Sequence, residues 1–321
     1  MLINKLRNYV GEFRAYNKER RQVVQAAVVE KKGRLDGRIV RYVHSIEKGL
    51  SIESPRPEFG YEKIKTLYGW IEEYLAIKDI DKTCVYMAAD ALWAYCAYHD
   101  SIGATSEKLD EIRAITLKLQ KIKDEDNIKE VFGGVLTLKK ADLAFDQDEV
   151  ERLFKTRHSI RQFDDKPVSD ALIEKAVALA QSAPSACNRQ AVRTYAMDVD
   201  KFKETYGENL QGVGGFLESG DKVLIITGKI SPYEEYEYKQ FIVSAGIFAG
   251  YLSLALHSLG LGACVVQRSI RPNKVWLEFC EKNDIPADEQ IICLLVVGNM
   301  KEETVVPLSK RFDVHTILRR L

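Results

Sequence analysis

The chain has 321 residues, 46% hydrophobic and 29% charged, with 47 Lys+Arg against 47 Asp+Glu. At ~100–200 residues per domain this length implies two domains and a sizeable core. A formal net charge of zero argues against a protein that coats nucleic acid.

The charge is uneven along the chain. Residues 1–56 carry 13 Lys+Arg and 6 Asp+Glu, residues 57–150 carry 12 and 19, and residues 151–321 carry 22 and 22. A basic arm before an acidic region can dock on itself or meet an anionic partner; two solvated helix faces are the plainer reading. Six cysteines stand at 84, 96, 187, 264, 280 and 293, with no CxxC pair and no zinc spacing, so no metal is expected. Cys293, inside an apolar run, reads as a small buried hydrophobe of a reducing compartment. No apolar h-region opens the chain, so a cytoplasmic protein without a secretory signal is expected.

Residues 1–35 read as a basic helix that continues over 38–50. An irregular connector with Pro55, Pro57 and Gly60 follows. Amphipathic helices are expected over 61–75, 82–99 and 106–122, the second presenting Tyr86, Ala89, Leu92, Trp93 and Cys96 on one face. The first 145 residues thus form a mostly helical domain, with a boundary near 142–148 and a second domain over 146–321. A helix over 148–156 leads into a basic motif. Ser169 or Asp170 caps the next helix, whose buried face is Leu172, Ile173, Ala176, Leu179 and Ala180. Residues 194–199 read as a strand, and 223–227 and 291–297 as central strands covered on both sides. Residues 233–238 interleave Tyr233, Tyr236 and Tyr238 with glutamates. They read as a mobile acidic loop, with a lid over the substrate face as the alternative. From 241 to 267 no residue is charged, which prompts a membrane check. Serines, His257 and the Gly260-Leu261-Gly262 break favour a buried helix of a soluble core and no membrane span. Gly246 and Gly250 form a GxxxG spacing that permits close backbone approach.

Two motifs carry the chemistry. Arg157-His158-Ser159-Ile160-Arg161 sets two guanidiniums, an imidazole and a hydroxyl within five residues, a donor set suited to a phosphate. Ala183-Pro184-Ser185-Ala186-Cys187-Asn188-Arg189-Gln190 is a turn of small residues with a carboxamide, suited to lie against something flat. With Phe163 and Pro167-Val168, and with Gly260-Leu261-Gly262 further on, these motifs resemble the nitroreductase family over roughly 150–321. The departures are Ala191-Val192, where the family has Pro-Trp, and Ser244 and Gly250-Tyr251 in the helix after 241.

The resemblance implies an α+β fold, a three-layer α/β/α domain with a central mixed sheet, behind the helical N-terminal domain. It implies FMN as cofactor and NADH or NADPH as donor, with hydride passing through flavin N5 to a small organic acceptor. Arg157 and Ser159 would hold the FMN phosphate, and His158 the ribityl chain or that phosphate. Arg161 would sit at the N1/O2 edge, where a cation stabilises the reduced ring. Asn188 would hydrogen-bond the ring's pyrimidine edge, with Pro184 and Ser185 beside it in the cofactor-binding turn, the backbone near Gln267 and Arg268 would face N5 and O4, and Lys310 and Arg311 the phosphate. No side chain is assigned as acid or nucleophile. A homodimer with FMN at the interface follows from the same resemblance. Residues 44–60 resemble an N-terminal extension of a branch of the family, through which His44, Lys48 or Arg56 would contact substrate; a structural interhelix loop is the alternative. Two rival functions stand beside this one: a flavin-consuming enzyme of the dimethylbenzimidazole-synthase type, and a redox-inactive interaction protein acting through its basic arm.

Overall fold

The computed structural model describes residues 30–206, 212–237, 239–267 and 274–320, together with 10, 13, 17 and 21. Most of the basic stretch ahead of Glu30 lies outside the described residues. Four helices come first: α1 (Lys31–Leu50), α2 (Tyr61–Leu75), α3 (Thr83–Ser101) and α4 (Glu107–Glu125). Ser106 caps α4, its Oγ accepting from Leu109 N at 3.2 Å. Their apolar stripes enclose one core, made of buried side chains between Leu35 and Leu119, with Ile39, Ile64, Leu67, Ile71 and Leu92 fully enclosed. In α3 Ala89 and Leu92 of the expected stripe are buried and Tyr86 and Cys96 half-buried, but Val85, Ala88, Tyr95 and His99 are buried as well and Trp93 is 57% exposed. The helix packs on both α1 and α4. Burial is therefore spread around it, and Trp93 falls on the uncovered side.

The second part follows: α5 (Gln147–Thr156), α6 (Asp170–Ala180), β1 (Val192–Asp198), α7 (Val199–Tyr206), β2 (Lys222–Lys229), α8 (Gln240–Ser258), β3 (Leu261–Gln267), α9 (Lys274–Lys282), β4 (Glu289–Asn299) and the short α10 (Val314–Ile317). Ser169 is the cap of α6, and Leu179 in that helix is exposed rather than buried. The strands form one sheet in the order β1-β2-β4-β3, every pair antiparallel. The expected mixed sheet is not formed by the described strands. The α8 crossover returns β3 parallel to β2, but one strand width away, and β4 fills the gap running the other way. The apolar runs of β2 and β4 are central, as their composition implies. Leu224, Ile226, Leu295 and Val297 face α6 and α8. Val223, Ile225, Leu294 and Val296 face a cluster that includes Phe202 of α7 and Phe279 of α9. The result is three layers, helix, sheet and helix.

Among the described residues α8 is the one helix long and apolar enough to cross a membrane. It lays Phe241, Ala245, Phe248, Leu252 and Leu256 into the sheet's core. Gly246 and Gly250 face outward, with no neighbour within 4 Å of an added Cβ.

The two parts meet along α1. An added Cβ at Gly37 would fall 2.7 Å from the carbonyl carbon of Pro232 and nearer still to its oxygen and Cα; one at Gly33 would strike Ser231. Backbone cannot move aside as a side-chain tip can. Gly37→Ala is therefore expected to destabilise by about 1–3 kcal/mol. Gly69 in α2 has no neighbour within 4 Å of an added Cβ. Gly69→Ala is expected to stabilise by about 0.5–1 kcal/mol through helix propensity. Urea midpoints of the two variants check the opposite signs.

Candidate functional site

Helix α5 ends at Thr156, and Arg157 caps it in an extended conformation. The strand-like run that follows is pinned to the sheet edge: Ile160 N donates to Ala263 O at 3.0 Å, and Phe163 bridges to Met300. Gly262 makes room for this run, since a Cβ there would meet Ile160 at 2.8 Å. Ile160 and Phe163 are buried, whereas Ser159 is half-buried and Arg161 exposed. Arg161 Nη1 donates to Ser159 O at 3.4 Å, and its guanidinium lies 5.8 Å from the Phe216 ring centroid.

The other end of the motif meets His257, near the C-terminus of α8. Thr156 Oγ1 and His257 Nε2 are 2.8 Å apart. Burial lowers the His257 pKa, and the charges of Arg157 and His158 lower it further. Three nitrogen-bearing side chains thus share one field where an anion would relieve their repulsion. His257, a polar residue in an apolar helix, carries no local signal of this role.

The second motif forms a contorted loop between α6 and β1. Cys187, Asn188 and Gln190 all have positive φ, at 53°, 54° and 47°. Such a run in non-glycine residues persists only where its surroundings impose it. Ser185 Oγ accepts from Gln190 N at 3.0 Å, and Ser244 Oγ from Ala186 N at 3.4 Å. The main restraint is Arg189, whose side chain is 1% exposed. Its Nε donates to Ala186 O at 3.0 Å, and its two terminal nitrogens grip Glu237 at 2.6 and 2.7 Å. Its guanidinium lies 4.1 Å from the Tyr233 ring centroid, and the Tyr233 hydroxyl is 3.2 Å from Ser244 Oγ. Arg189 occupies a variable position of the family motif, so the motif gives no sign of this role.

Residues 233–237 are accordingly a clamp rather than a mobile loop. Tyr233 is buried, Glu237 holds Arg189, and Glu234 accepts from Arg38 at 2.7 Å and Arg34 at 3.0 Å on α1. Tyr236 is exposed and accepts from Arg41 at 2.8 Å, while Tyr238 lies outside the described residues. The Arg38 guanidinium is the main cause of a Glu234 pKa below the ordinary range. Burial opposes ionisation of Glu237, but Arg189 outweighs it and holds that carboxyl low too.

Between α1, the start of α3 and the loop 181–193 lies a cleft of about 310 Å³. Pro184, Ser185 and Asn188 line it on one side and Asp36, Asp81 and Cys84 on the other. The helical part therefore supplies half of the space beside the second motif.

The remaining residues of interest are scattered. Gln267 ends β3 and is exposed; Arg268 lies outside the described residues. Lys310 and Arg311 are exposed, and among the described residues neither has an ion-pair partner. His44, Lys48 and Arg56 do not line the cleft. His44 stands 3.6 Å from Glu47, and Lys48 and Arg56 are exposed. Their motif serves the helical unit's own packing: Glu47 accepts from Gly134 N at 3.0 Å, Gly49 abuts Phe59, and buried His99 accepts from Glu58 N at 3.0 Å. All six cysteines are free, and the described residues hold no cluster of three metal-ligating side chains.

Residues 154–213 and 214–299 match the model of the nitroreductase family. No curated protein matches the chain. Among solved structures, an FMN-dependent nitroreductase of Clostridium difficile is 23% identical, covering 52% of this chain and 96% of its own, with a TM-score of 0.44. A nitroreductase family protein of Streptococcus pneumoniae is 20% identical, covering 54% and 100%, with a TM-score of 0.44. A nitroreductase-like family protein of Bacillus cereus is 15% identical, covering 59% and 99%, with a TM-score of 0.46. Over residues 154–299, between its helical N-terminal part and its exposed C-terminal segment, the chain matches the nitroreductase family.

Proposed function

We propose that the chain is an FMN-dependent oxidoreductase that takes reducing equivalents from NADH or NADPH and passes them to a small organic acceptor. The observation that carries this reading is the donor set at the α5 terminus. Arg157, His158 and His257 share a field that depresses the histidine pKa, with the Ser159 hydroxyl beside them in sequence. A phosphate suits that set, because it accepts from every donor and cancels their repulsion. The residues present therefore fit FMN. When bound, FMN supplies hydride acceptance and donation at its ring. Arg157, His158 and Ser159 would bind its phosphate, Arg161 would hold positive charge at the ring edge, and Pro184, Ser185 and Asn188 would bound the ring. Gln267 and Arg268, at the end of β3, would offer backbone donors. The clamp on Arg189 supplies the rigidity that a ring-binding loop needs.

A homodimer completes the reading. Val243, Ile247 and Tyr251 make an exposed apolar stripe on α8, and Leu308, Phe312 and Ile317 extend one along the C-terminal segment that carries Lys310 and Arg311. A second copy would cover these residues and bring that segment's cations to a phosphate.

The visible spectrum of the purified protein tests the function. Flavin bands that bleach with NADH or NADPH under anaerobic conditions are the expected result; a protein that neither takes up FMN nor oxidises either donor would overturn it. Arg157→Ala is expected to weaken FMN binding by roughly tenfold to a hundredfold, as for a lost charge-assisted hydrogen bond. Flavin-fluorescence titration measures this.

A further inference from the structure

We infer that the connector 131–145, which joins the helical part to α5, belongs to the surface on which two copies of this chain meet. Each copy's helical part is then tied to its partner as well as to its own sheet. The inference rests on the homodimer reading above and extends that interface beyond α8 and the C-terminal segment.

The connector is held firmly where it starts. Phe132 N donates to Asp90 Oδ2 at 2.7 Å, and Gly134 N to Glu47 Oε1 at 3.0 Å. The Phe132 ring centroid lies 5.7 Å from that of Tyr86. Gly133 passes so close over α3 that an added Cβ would fall 2.4 Å from Met87 O. Local bonds order the far end. Lys139 O accepts from Asp142 N at 2.9 Å, and Asp146 Oδ1 accepts from Asp148 N at 2.9 Å where α5 begins.

The side chains between these anchors face outward. Val131, Val135, Leu136, Leu138, Leu143 and Phe145 are each more than half exposed. Domain connectors are ordinarily polar or rich in Gly, Ser and Pro, yet seven of these fifteen residues are Val, Leu or Phe. Val150 and Phe154, four apart on α5, carry the exposed apolar surface onward. Helix α5 packs against α8, so the surface continues toward Val243, Ile247 and Tyr251. At ~150–250 Å² for a fully exposed large side chain, the connector and α5 together leave on the order of 1,000 Å² of it. A monomer's largest apolar patch is ~300–600 Å², and a stable interface covers ~800 Å² on each partner.

Continuity with α8 names a second copy as the occupant, and a two-fold dimer would cover both connectors at once. Charge argues against an anionic membrane: residues 131–154 carry 3 Lys+Arg and 5 Asp+Glu, whereas a segment that lies on such a surface is basic. The chain's own N-terminal stretch joins α1 at its opposite end, roughly 25 Å from Glu47 at 1.5 Å per residue.

Sedimentation velocity over a dilution series of the full chain, with hydrogen exchange read on the same samples, tests this. Wild type is compared with Leu136→Asp/Leu138→Asp, Leu136→Met/Leu138→Met and the α8 variant Ile247→Asp. The expected wild type is a dimer whose connector amides are protected at high concentration and exchange freely on dilution. The Asp pair is expected to raise the dimer dissociation constant about a hundredfold or more, because apolar side chains are lost from both copies' interfaces. The Met pair, similar in volume, should leave it within a few-fold. Both pairs should keep the circular dichroism of wild type, since these side chains are exposed within their own copy. Dissociation by Ile247→Asp, with the Asp pair as tightly dimeric as wild type, would remove the connector from the interface and leave the homodimer standing. A wild type monomeric at every concentration would overturn both readings. Connector amides protected equally in the monomer would place the chain's own N-terminal stretch on that surface, and protection gained only on phosphatidylglycerol vesicles would place a membrane there; either result overturns the second copy as occupant.

Discussion

Arg189→Ala is expected to destabilise the protein by about 3–5 kcal/mol, because truncating one partner of a buried pair leaves the other charge uncompensated. Glu237, 15% exposed, would keep the Glu234 N–H but lose its guanidinium, and Pro232 O and the Tyr233 ring would lose theirs. Ala186 O would lose its donor, and the positive-φ run at 187, 188 and 190 would lose its main restraint. FMN retention should fall with stability if that loop bounds the ring. The double variant Arg189→Met/Glu237→Leu should recover much of the stability, because paired apolar groups replace a buried ion pair at little cost. Urea midpoints of wild type, single and double variants make the measurement; a double variant no better than the single one would refute the charge argument. The pH dependence has a definite sign. Glu234 and Glu237 are both held below the ordinary carboxylate range. Their contribution is present above the unfolded glutamate value, about 4.3, and is lost as pH falls through their folded values. The gap between wild type and Arg189→Ala should therefore narrow below about pH 4.

Asp90→Ala is expected to have a similar effect, about 3–5 kcal/mol, in the helical part. Asp90 takes Lys123 Nζ at 2.7 and 2.6 Å and Phe132 N at 2.7 Å, and the two charged side chains are only 10% and 6% exposed. Lys123 also lies 5.7 Å from the Phe132 ring centroid. The pair ties α3 to α4 and anchors the chain as it leaves the helical part. Without Asp90 the ammonium is buried alone and Phe132 N loses its acceptor. Asp90→Leu/Lys123→Met should restore most of the loss by urea titration. Equal midpoints for Asp90→Ala and wild type would show that water already reaches the pair.

The helices and central strands are legible in the sequence because their signals are local. The 61–75 helix emerges with its expected bounds, and the apolar runs at 223–227 and 291–297 are the two central strands. A fully buried strand needs no partner information beyond its own composition. The Arg157–Arg161 motif is legible for the same reason, its donors lying within five residues. The direction of strand pairing is not, because it depends on which strand fills the gap under the α8 crossover. Trp93 and Leu179 are misassigned because periodicity reports an apolar face without saying how many neighbours cover the helix.

The sequence by itself determined the element types, the helical character of the first part and the phosphate-suited motif, all properties of residues close along the chain. Only the tertiary structure decided what the N-terminal helices do beside that motif. Arg189 meets Glu237 across 48 residues, and Arg34 and Arg38 meet Glu234 across 200 and 196. Asp36 and Asn188 come to opposite sides of one cleft in the same way. A charged residue in isolation reads as a solvated face. Burial beside a distant partner is what turns it into a clamp or the wall of a site, and burial is a property of the packed molecule.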